Sequence, residues 1–302
     1  MVGYKRLSEE EWASKIQFFK KNYSPCNLCP NRCQAERNKK KRGVCNAGEK
    51  VKIASGNLHF GEEPPISGTS GSGTIFFSGC TLKCVYCQNY PISHLFNGKL
   101  YSIEELASLF IDLQDRGAHN VNFITPTPYL YHITCALKIA SQKGLVIPTV
   151  YNSSGYERPD IVQELLHLID IYLPDIKYYE SKIAQTFSSG SYYFEKAYES
   201  IKRMFEQTGV LKLNEDGIAY EGVIIRHLIL PGHVENSKQV LRSIADSPFK
   251  NAYLSLMSQY FPAFLAVKDK LINRRLFLEE YNQVRDYALS LGFENGWFQD
   301  LT

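Results

Sequence analysis

The sequence predicts an α/β fold, a partial (β/α)6 TIM-like barrel preceded by a small cysteine-rich N-terminal extension. Three observations predict it. After Gly73, apolar runs of strand length alternate six times with stretches of helical periodicity, and such units imply parallel strands joined by right-handed crossovers, curving into a sheet or incomplete barrel. Polar and special residues gather where those strands end, on the rim where α/β barrels build their sites. Before Gly73 the alternation is missing, and four cysteines crowd into a basic segment. With 302 residues, 44% hydrophobic and 22% charged, the chain can bury a sizeable core, which excludes disordered, collagen-like and coiled-coil classes. We divide it into an extension, residues 1–65, and a barrel, residues 66–302.

The elements follow in order. Ser8 with Glu11 forms a capping box before Trp12, Ile16 and Phe19, which share one helix face. Pro64–Gly73 reads as a connection. Strands are expected at residues 74–78, 121–125, 146–151, 169–173, 222–230 and 252–257. Helices are expected between them: one capped by Ser102 and Glu105 and stopped by Gly117, then Pro128–Lys143, Pro159–Leu168, a stripe through Phe194, Ala197, Tyr198, Ile201, Met204 and Phe205, Ser237–Ala245, and a last one around Leu278–Leu291. Arg226 and His227 interrupt the longest apolar stretch, so no run approaches the roughly 20 residues of a membrane span. The first residues lack the apolar stretch of a signal peptide. A cytoplasmic chain is expected, where clustered cysteines bind metal more often than they form disulfides.

Charge is uneven: residues 1–50 carry 12 Lys and Arg against 5 acidic residues, and the rest is mildly acidic. The run Arg37–Arg42 has no interleaved aromatics, which favours a solvated surface loop over a nucleic-acid contact.

The eight cysteines fall as four, three and one. Cys80, Cys84 and Cys87 form C-x3-C-x2-C directly after the first barrel strand. Three thiolates so spaced can hold three corners of a cubane iron–sulfur cluster and leave the fourth iron open. The alternatives are a zinc site or a structural site completed by Cys135 or His132; zinc sites usually arrive as two C-x2-C halves. Cys26, Cys29, Cys33 and Cys45 form C-x2-C-x3-C-x11-C, which can surround a complete iron–sulfur cluster or a structural zinc. Cys135, beside Ala136 and Leu137, reads as a small core residue. Arg226 inside an apolar strand demands a partner for its charge, and its planar fork suits a carboxylate. Asp175 and Lys177 form either a site pair or a paired surface charge. His227 is either a satisfied core histidine or a site residue.

The segment Gly79-Cys80-Thr81-Leu82-Lys83-Cys84-Val85-Tyr86-Cys87-Gln88-Asn89 resembles the cluster loop of radical S-adenosylmethionine (SAM) enzymes. The resemblance continues through Asn152-Ser153-Ser154-Gly155-Tyr156, Pro174-Asp175-Ile176-Lys177, Ile225–Gly232 and Leu256-Met257-Ser258-Gln259-Tyr260, and is nearest to the branch related to pyruvate formate-lyase activating enzymes. It implies a [4Fe–4S] cluster on Cys80, Cys84 and Cys87, SAM as cofactor, and reductive cleavage of SAM to a 5′-deoxyadenosyl radical that abstracts hydrogen from a substrate. It implies Tyr86 beside the adenine, Asn152 and Ser154 at the ribose or methionine, and Asp175 with Lys177 at the methionine end. Where activating enzymes carry a Gly-Gly-Glu type stretch facing the SAM ammonium, this chain has Thr125-Pro126-Thr127-Pro128, whose carbonyls and hydroxyls at Thr125 and Thr127 can accept hydrogen bonds. A reductant such as flavodoxin or ferredoxin is implied. The activity is either that of an oxidoreductase activating a glycyl-radical enzyme or the modification of a peptide or small molecule. A non-catalytic zinc protein contacting nucleic acid is the competing class. No residue is singled out as catalytic.

Overall fold

The computed structural model describes residues 2–301. Its strands are β1 (Val51–His59), β2 (Ser72–Phe77), β3 (Lys99–Tyr101), β4 (Val121–Ile124), β5 (Thr149–Ser153), β6 (Ile171–Pro174), β7 (Lys212–Leu213), β8 (Ala219–Leu228), β9 (Tyr253–Met257) and β10 (Gly296–Phe298). The sheet runs β10-β9-β8-β6-β5-β4-β2-β1-β3, with β7 alongside β8. From β2 through β9 the six adjacent strands are all parallel, each reached by a crossover containing helix. Every residue of β5 and β6 is buried, as expected of parallel strands covered on both faces. This is the α/β, partial-barrel architecture that the alternation predicts.

The sheet is larger than predicted. β1 is antiparallel to β2, and β3 to β1; β10 adds a parallel partner to β9. β1 shows one half-exposed polar face, and β3, β7 and β10 have only two or three residues each, so none makes an apolar run. The strand expected from Val146 begins at Thr149. Pro148 has no N–H for a ladder, and Val146 stands exposed with its N–H donated to the Gln114 side chain at 2.7 Å.

Both predicted capping boxes form, Ser8 with Glu11 and Ser102 with Glu105. The first starts the helix Glu9–Tyr23, which lays Trp12, Phe19 and Tyr23 into the core and packs on the helix Leu130–Gln142. The segment at Gly3 is fastened to the bottom of the barrel by Asp170. Its carboxylate accepts from Gly3 N at 2.7 Å, Thr149 N at 2.9 Å and Thr149 Oγ1 at 3.1 Å. Among the described residues no helix is long and apolar enough to cross a membrane.

Asp170→Asn turns an amide NH2 toward groups that are themselves donors and leaves buried N–H groups poorly satisfied. The variant is expected to lose about 1–3 kcal/mol of stability, read by urea denaturation; an unchanged midpoint would mean the carboxylate is not what fastens the N-terminus.

Candidate active site

β2 runs into Gly79, whose φ of +92° is left-handed and where a Cβ would stand 2.2 Å from the Cys45 carbonyl oxygen. Only glycine fits so close an approach. The chain then carries Cys80, Cys84 and Cys87 across the strand ends, and each sulfur meets a donor. Leu82 N points at Cys80 Sγ (3.4 Å), the Tyr178 hydroxyl at Cys84 Sγ (3.7 Å) and the Ser93 hydroxyl at Cys87 Sγ (3.1 Å). Burial pushes the Cys84 thiol up to about 12, so the bare thiol holds its proton at neutral pH, whereas a metal ion takes the thiolate outright. Three thiols facing N–H and O–H groups are a donor set that fits a thiolate-held iron–sulfur cluster with one open iron. All eight cysteines are free thiols. Among the described residues, no group of three or more His, Cys, Asp or Glu side chains is arranged to hold a metal ion as it stands.

Beside this loop the strand ends enclose a polar cavity of about 340 Å³, reached by Asn89, Asn152 and Arg226. Three larger grooves, of about 730, 700 and 630 Å³, lie elsewhere on the surface and carry no cysteine. Arg226 donates from Nε to Asp175 Oδ1 (2.9 Å), from Nη2 to Asn152 Oδ1 and from Nη1 to Glu62 Oε2 (3.4 Å). Lys177 Nζ donates to Asp175 Oδ2 at 2.5 Å. Burial works to raise the Asp175 pKa, but the two cations outweigh it and hold the carboxyl below its ordinary value. Asp175 is 8% exposed, so the surface-pair alternative for Asp175 and Lys177 is excluded.

The four N-terminal cysteines sit behind the loop. Cys26, Cys29 and Cys45 are buried, and a Cβ at Gly43 would fall 2.2 Å from Cys33 Sγ. Arg37 corrects the expectation of a solvated basic run: it is 2% exposed. Its Nη2 donates to Cys26 Sγ (3.0 Å) and Cys45 Sγ (3.7 Å), its Nη1 to the Pro128 carbonyl, and its guanidinium stands 5.1 Å from the Tyr23 ring centroid. Lys39 and Lys41 do behave as expected, paired with Glu36 at the surface. His132 donates from Nε2 to the Glu49 carbonyl (2.8 Å), and Cys135 is half-buried against Tyr131.

The profile of the Radical SAM superfamily matches residues 74–244. The chain belongs to the radical SAM superfamily. An uncharacterized protein of Methanocaldococcus jannaschii is 32% identical over 283 residues, 91% of this chain and 77% of that protein. The pyruvate formate-lyase-activating enzyme of Clostridium pasteurianum is 26% identical over 203 residues, 64% of this chain and 76% of that enzyme. Among solved structures, the radical SAM methyltransferase TsrM of Kitasatospora setae, with tryptophan and a SAM analogue bound, superimposes with a TM-score of 0.51 at 9% identity, over 74% of this chain and 53% of that one. This chain therefore spans about half that structure's length, and the likeness is one of fold. Radical SAM membership implies SAM and a [4Fe–4S] cluster.

Within the radical SAM frame the sequence candidates divide. Asn152, Asp175, Lys177 and Arg226 come together as one network. Thr125 reaches the rim with φ +57°, a strained conformation for a β-branched residue, and its N–H donates to the Asn152 carbonyl (2.9 Å). The Thr127 hydroxyl is engaged in the core by Glu157 Oε1 (2.7 Å). Tyr86 is buried with its hydroxyl 2.6 Å from that of Tyr178 and its ring against Phe187 and Tyr260. Ser154 offers its carbonyl to Tyr193. Sequence reasoning missed Glu62 and Glu63, which line the cavity; the acidic pair before Pro64-Pro65 was their only signal. His227 is a satisfied core histidine, with Nδ1 donating to the Ile176 carbonyl (2.6 Å) and Nε2 accepting from Ser237 (2.9 Å).

Burial lowers the His227 pKa from 6.5 to about 4. The folded state thus binds fewer protons than the unfolded chain between those values, and this contribution is complete above the unfolded pKa and lost as pH falls toward the folded one. His227→Gln lacks it. The wild-type advantage measured by denaturation at pH 7 is expected to shrink by on the order of 2 kcal/mol by pH 4.5; a constant gap would show that the imidazole titrates normally.

Proposed function

We propose that this chain reductively cleaves SAM at a cluster held by Cys80, Cys84 and Cys87, generating a 5′-deoxyadenosyl radical for hydrogen abstraction from a substrate. The observation that carries the reading is the three-cysteine loop running on to Asn89 at the cavity that Asn152 and Arg226 line, with Asp175 and Lys177 tied to Arg226 behind it. Once bound, the cluster supplies the single electron for cleavage. The chain's own residues bind and orient. The fork of Arg226 and the ammonium of Lys177, each already tied to Asp175, present fixed positive charge where a carboxylate of SAM can settle. Asn152 and the Thr125 backbone offer hydrogen-bonding groups at the same rim. The hydroxyls of Ser93 and Tyr178 orient toward the ligating sulfurs, and the packed rings of Tyr86, Tyr178 and Tyr260 exclude water.

The likeness to the clostridial activating enzyme favours activation of a protein partner by glycyl-radical formation, with flavodoxin or ferredoxin as electron donor in the cytoplasm. Peptide or small-molecule modification is the second version of the same chemistry.

Cys26, Cys29, Cys33 and Cys45 hold a second metal centre in this reading. The support is Arg37: a buried guanidinium needs negative charge nearby, and its nearest partners of that kind are the sulfurs of Cys26 and Cys45, which carry charge when they are metal-bound thiolates.

Anaerobic reconstitution tests these assignments. Wild type is expected to be brown and to release 5′-deoxyadenosine from SAM under reduction. Cys84→Ala loses cleavage, and Cys29→Ala keeps about four irons per chain. A colourless two-zinc protein inert to SAM would reject the enzyme, and loss of all iron in Cys29→Ala would reject two separate centres.

A further inference from the structure

Where β1 begins, the surface charge is one-sided. Residues 38–61 carry six lysines and arginines against one carboxylate, Glu49, and residues 83–100 carry two lysines and no acid. Glu36, the nearest carboxylate before them, is taken by Lys39 and Lys41. Arg42 and Lys52 instead converge on one ring. The Arg42 guanidinium stands 5.4 Å and the Lys52 ammonium 4.6 Å from the Phe96 centroid, and among the described residues neither forms an ion pair. Val51 and Ile53 are buried, so Lys52 between them points outward, beside its exposed cross-strand partner Leu100. Lys50, two residues before Lys52, and Leu95, next to Phe96, are exposed as well. Phe96 itself holds φ +59°, a strained setting for a bulky side chain, and its edge comes 3.1 Å from where a Cβ on Gly79 would stand. Gly79 lies against the Cys45 carbonyl and leads directly into Cys80. One ring therefore touches the turn where the two cysteine groups meet and carries two cations. None of these residues lines the strand-end cavity.

We propose that Arg42, Lys52 and Phe96, with Lys50, Leu95 and Leu100 around them, form the docking face for an acidic one-electron carrier protein. The inference rests on the SAM reading above, which requires a single electron from outside the chain. In that step the carrier's reduced cofactor loses one electron and the cluster assigned to Cys80, Cys84 and Cys87 gains it; no bond or proton changes place. Positive charge that the chain does not neutralise attracts a carboxylate-rich surface and speeds the encounter. The exposed Leu95 and Leu100 add a small apolar contact, in keeping with the limited area of electron-transfer encounters. The ring brings the carrier to the turn that leads into Cys80 and leaves the cavity free for SAM and substrate. A nucleic acid fits less well, because the aromatic of this face lies under its cations and is not free to stack on a base.

The test compares reconstituted wild type with the charge reversal Arg42→Glu/Lys52→Glu, the milder Arg42→Gln/Lys52→Gln, and a control, Lys143→Glu/Lys250→Glu. Both control residues are exposed and precede β5 and β9, at the far ends of the parallel strands, whereas Ile53 pairs with Phe77 at the end of β2. Flavodoxin binding is read by calorimetry, and cluster reduction by stopped-flow bleaching with either flavodoxin hydroquinone or dithionite. We expect flavodoxin to bind wild type. At about 0.02 M salt the charge reversal weakens binding and slows flavodoxin-driven reduction at least about tenfold, the glutamine pair at least about threefold, and the control less than about twofold; at about 0.3 M salt the differences close. Dithionite-driven reduction and SAM affinity stay within about twofold throughout. The glutamine pair, which shortens no side chain to its Cβ, carries the same test should the reversal fail to fold. Equal flavodoxin binding by wild type and the glutamine pair, or none by wild type, overturns the face. An equal loss in the control overturns its location. Single-stranded RNA bound by wild type in place of flavodoxin, and released by the substitutions, assigns the face to nucleic acid and overturns the carrier. Failure of wild type to cleave SAM with dithionite strikes the radical SAM reading alone, because calorimetry still reports on the face.

Discussion

A guanidinium inside a barrel must gather negative charge around it, and Arg226 does so across three separate segments. Its position on β8 is fixed by the parallel ladder, which pairs Arg226 with Ser255 on one side and bridges it to Asp175 on the other. Asp175 then claims Lys177, Asn152 comes in from β5, and the loop before β2 brings Glu62 inward. Leaving any one of these charges alone in so dry a place would cost more than the pair contributes. The network therefore defines the cavity floor as much as it occupies it, and the strand ends that carry it are held in the relative positions that a bound ligand needs.

The cysteine loop depends on a second constraint, close packing against the N-terminal lobe. Gly79 lies against the Cys45 backbone, Lys83 carries its charge near Cys80, Cys87 and Cys45 together, and Arg37 joins the Cys26 and Cys45 sulfurs to the Pro128 carbonyl. The two cysteine groups thus meet at Cys45, through Gly79 and Lys83. The Lys83 charge is felt at both, acting on Cys80, Cys87 and Cys45.

The six parallel strands were legible because burial on both faces forces continuous apolar runs, and Arg226 stood out because it breaks one. The three-cysteine loop stood out by its spacing together with its place directly after the first barrel strand. β1 was not: Val51, Ile53 and their polar neighbours alternate toward a half-solvated face, and Gly56 and Asn57 resemble a loop. Glu62 and Glu63 were hidden because carboxylates beside Pro-Pro are ordinarily solvated, and only the fold shows that this loop turns inward. Arg37 was misread for the same reason. Nothing local separates it from Lys39 and Lys41, which do stay at the surface; Tyr23 and two cysteines, brought in by tertiary packing, are what bury it. Thr125 and Thr127 looked equivalent until the turn between them sent one to the rim and the other to Glu157.

The proposed chemistry requires that SAM bind directly to an iron of the cluster assigned to Cys80, Cys84 and Cys87. Electron–nuclear double resonance on the reduced, reconstituted protein, with SAM labelled by 15N at its amino group, tests it most directly. A 15N hyperfine coupling to the cluster is expected to appear on adding labelled SAM and to be absent with unlabelled SAM. A reduced cluster whose spectrum carries no 15N coupling at saturating SAM would contradict it.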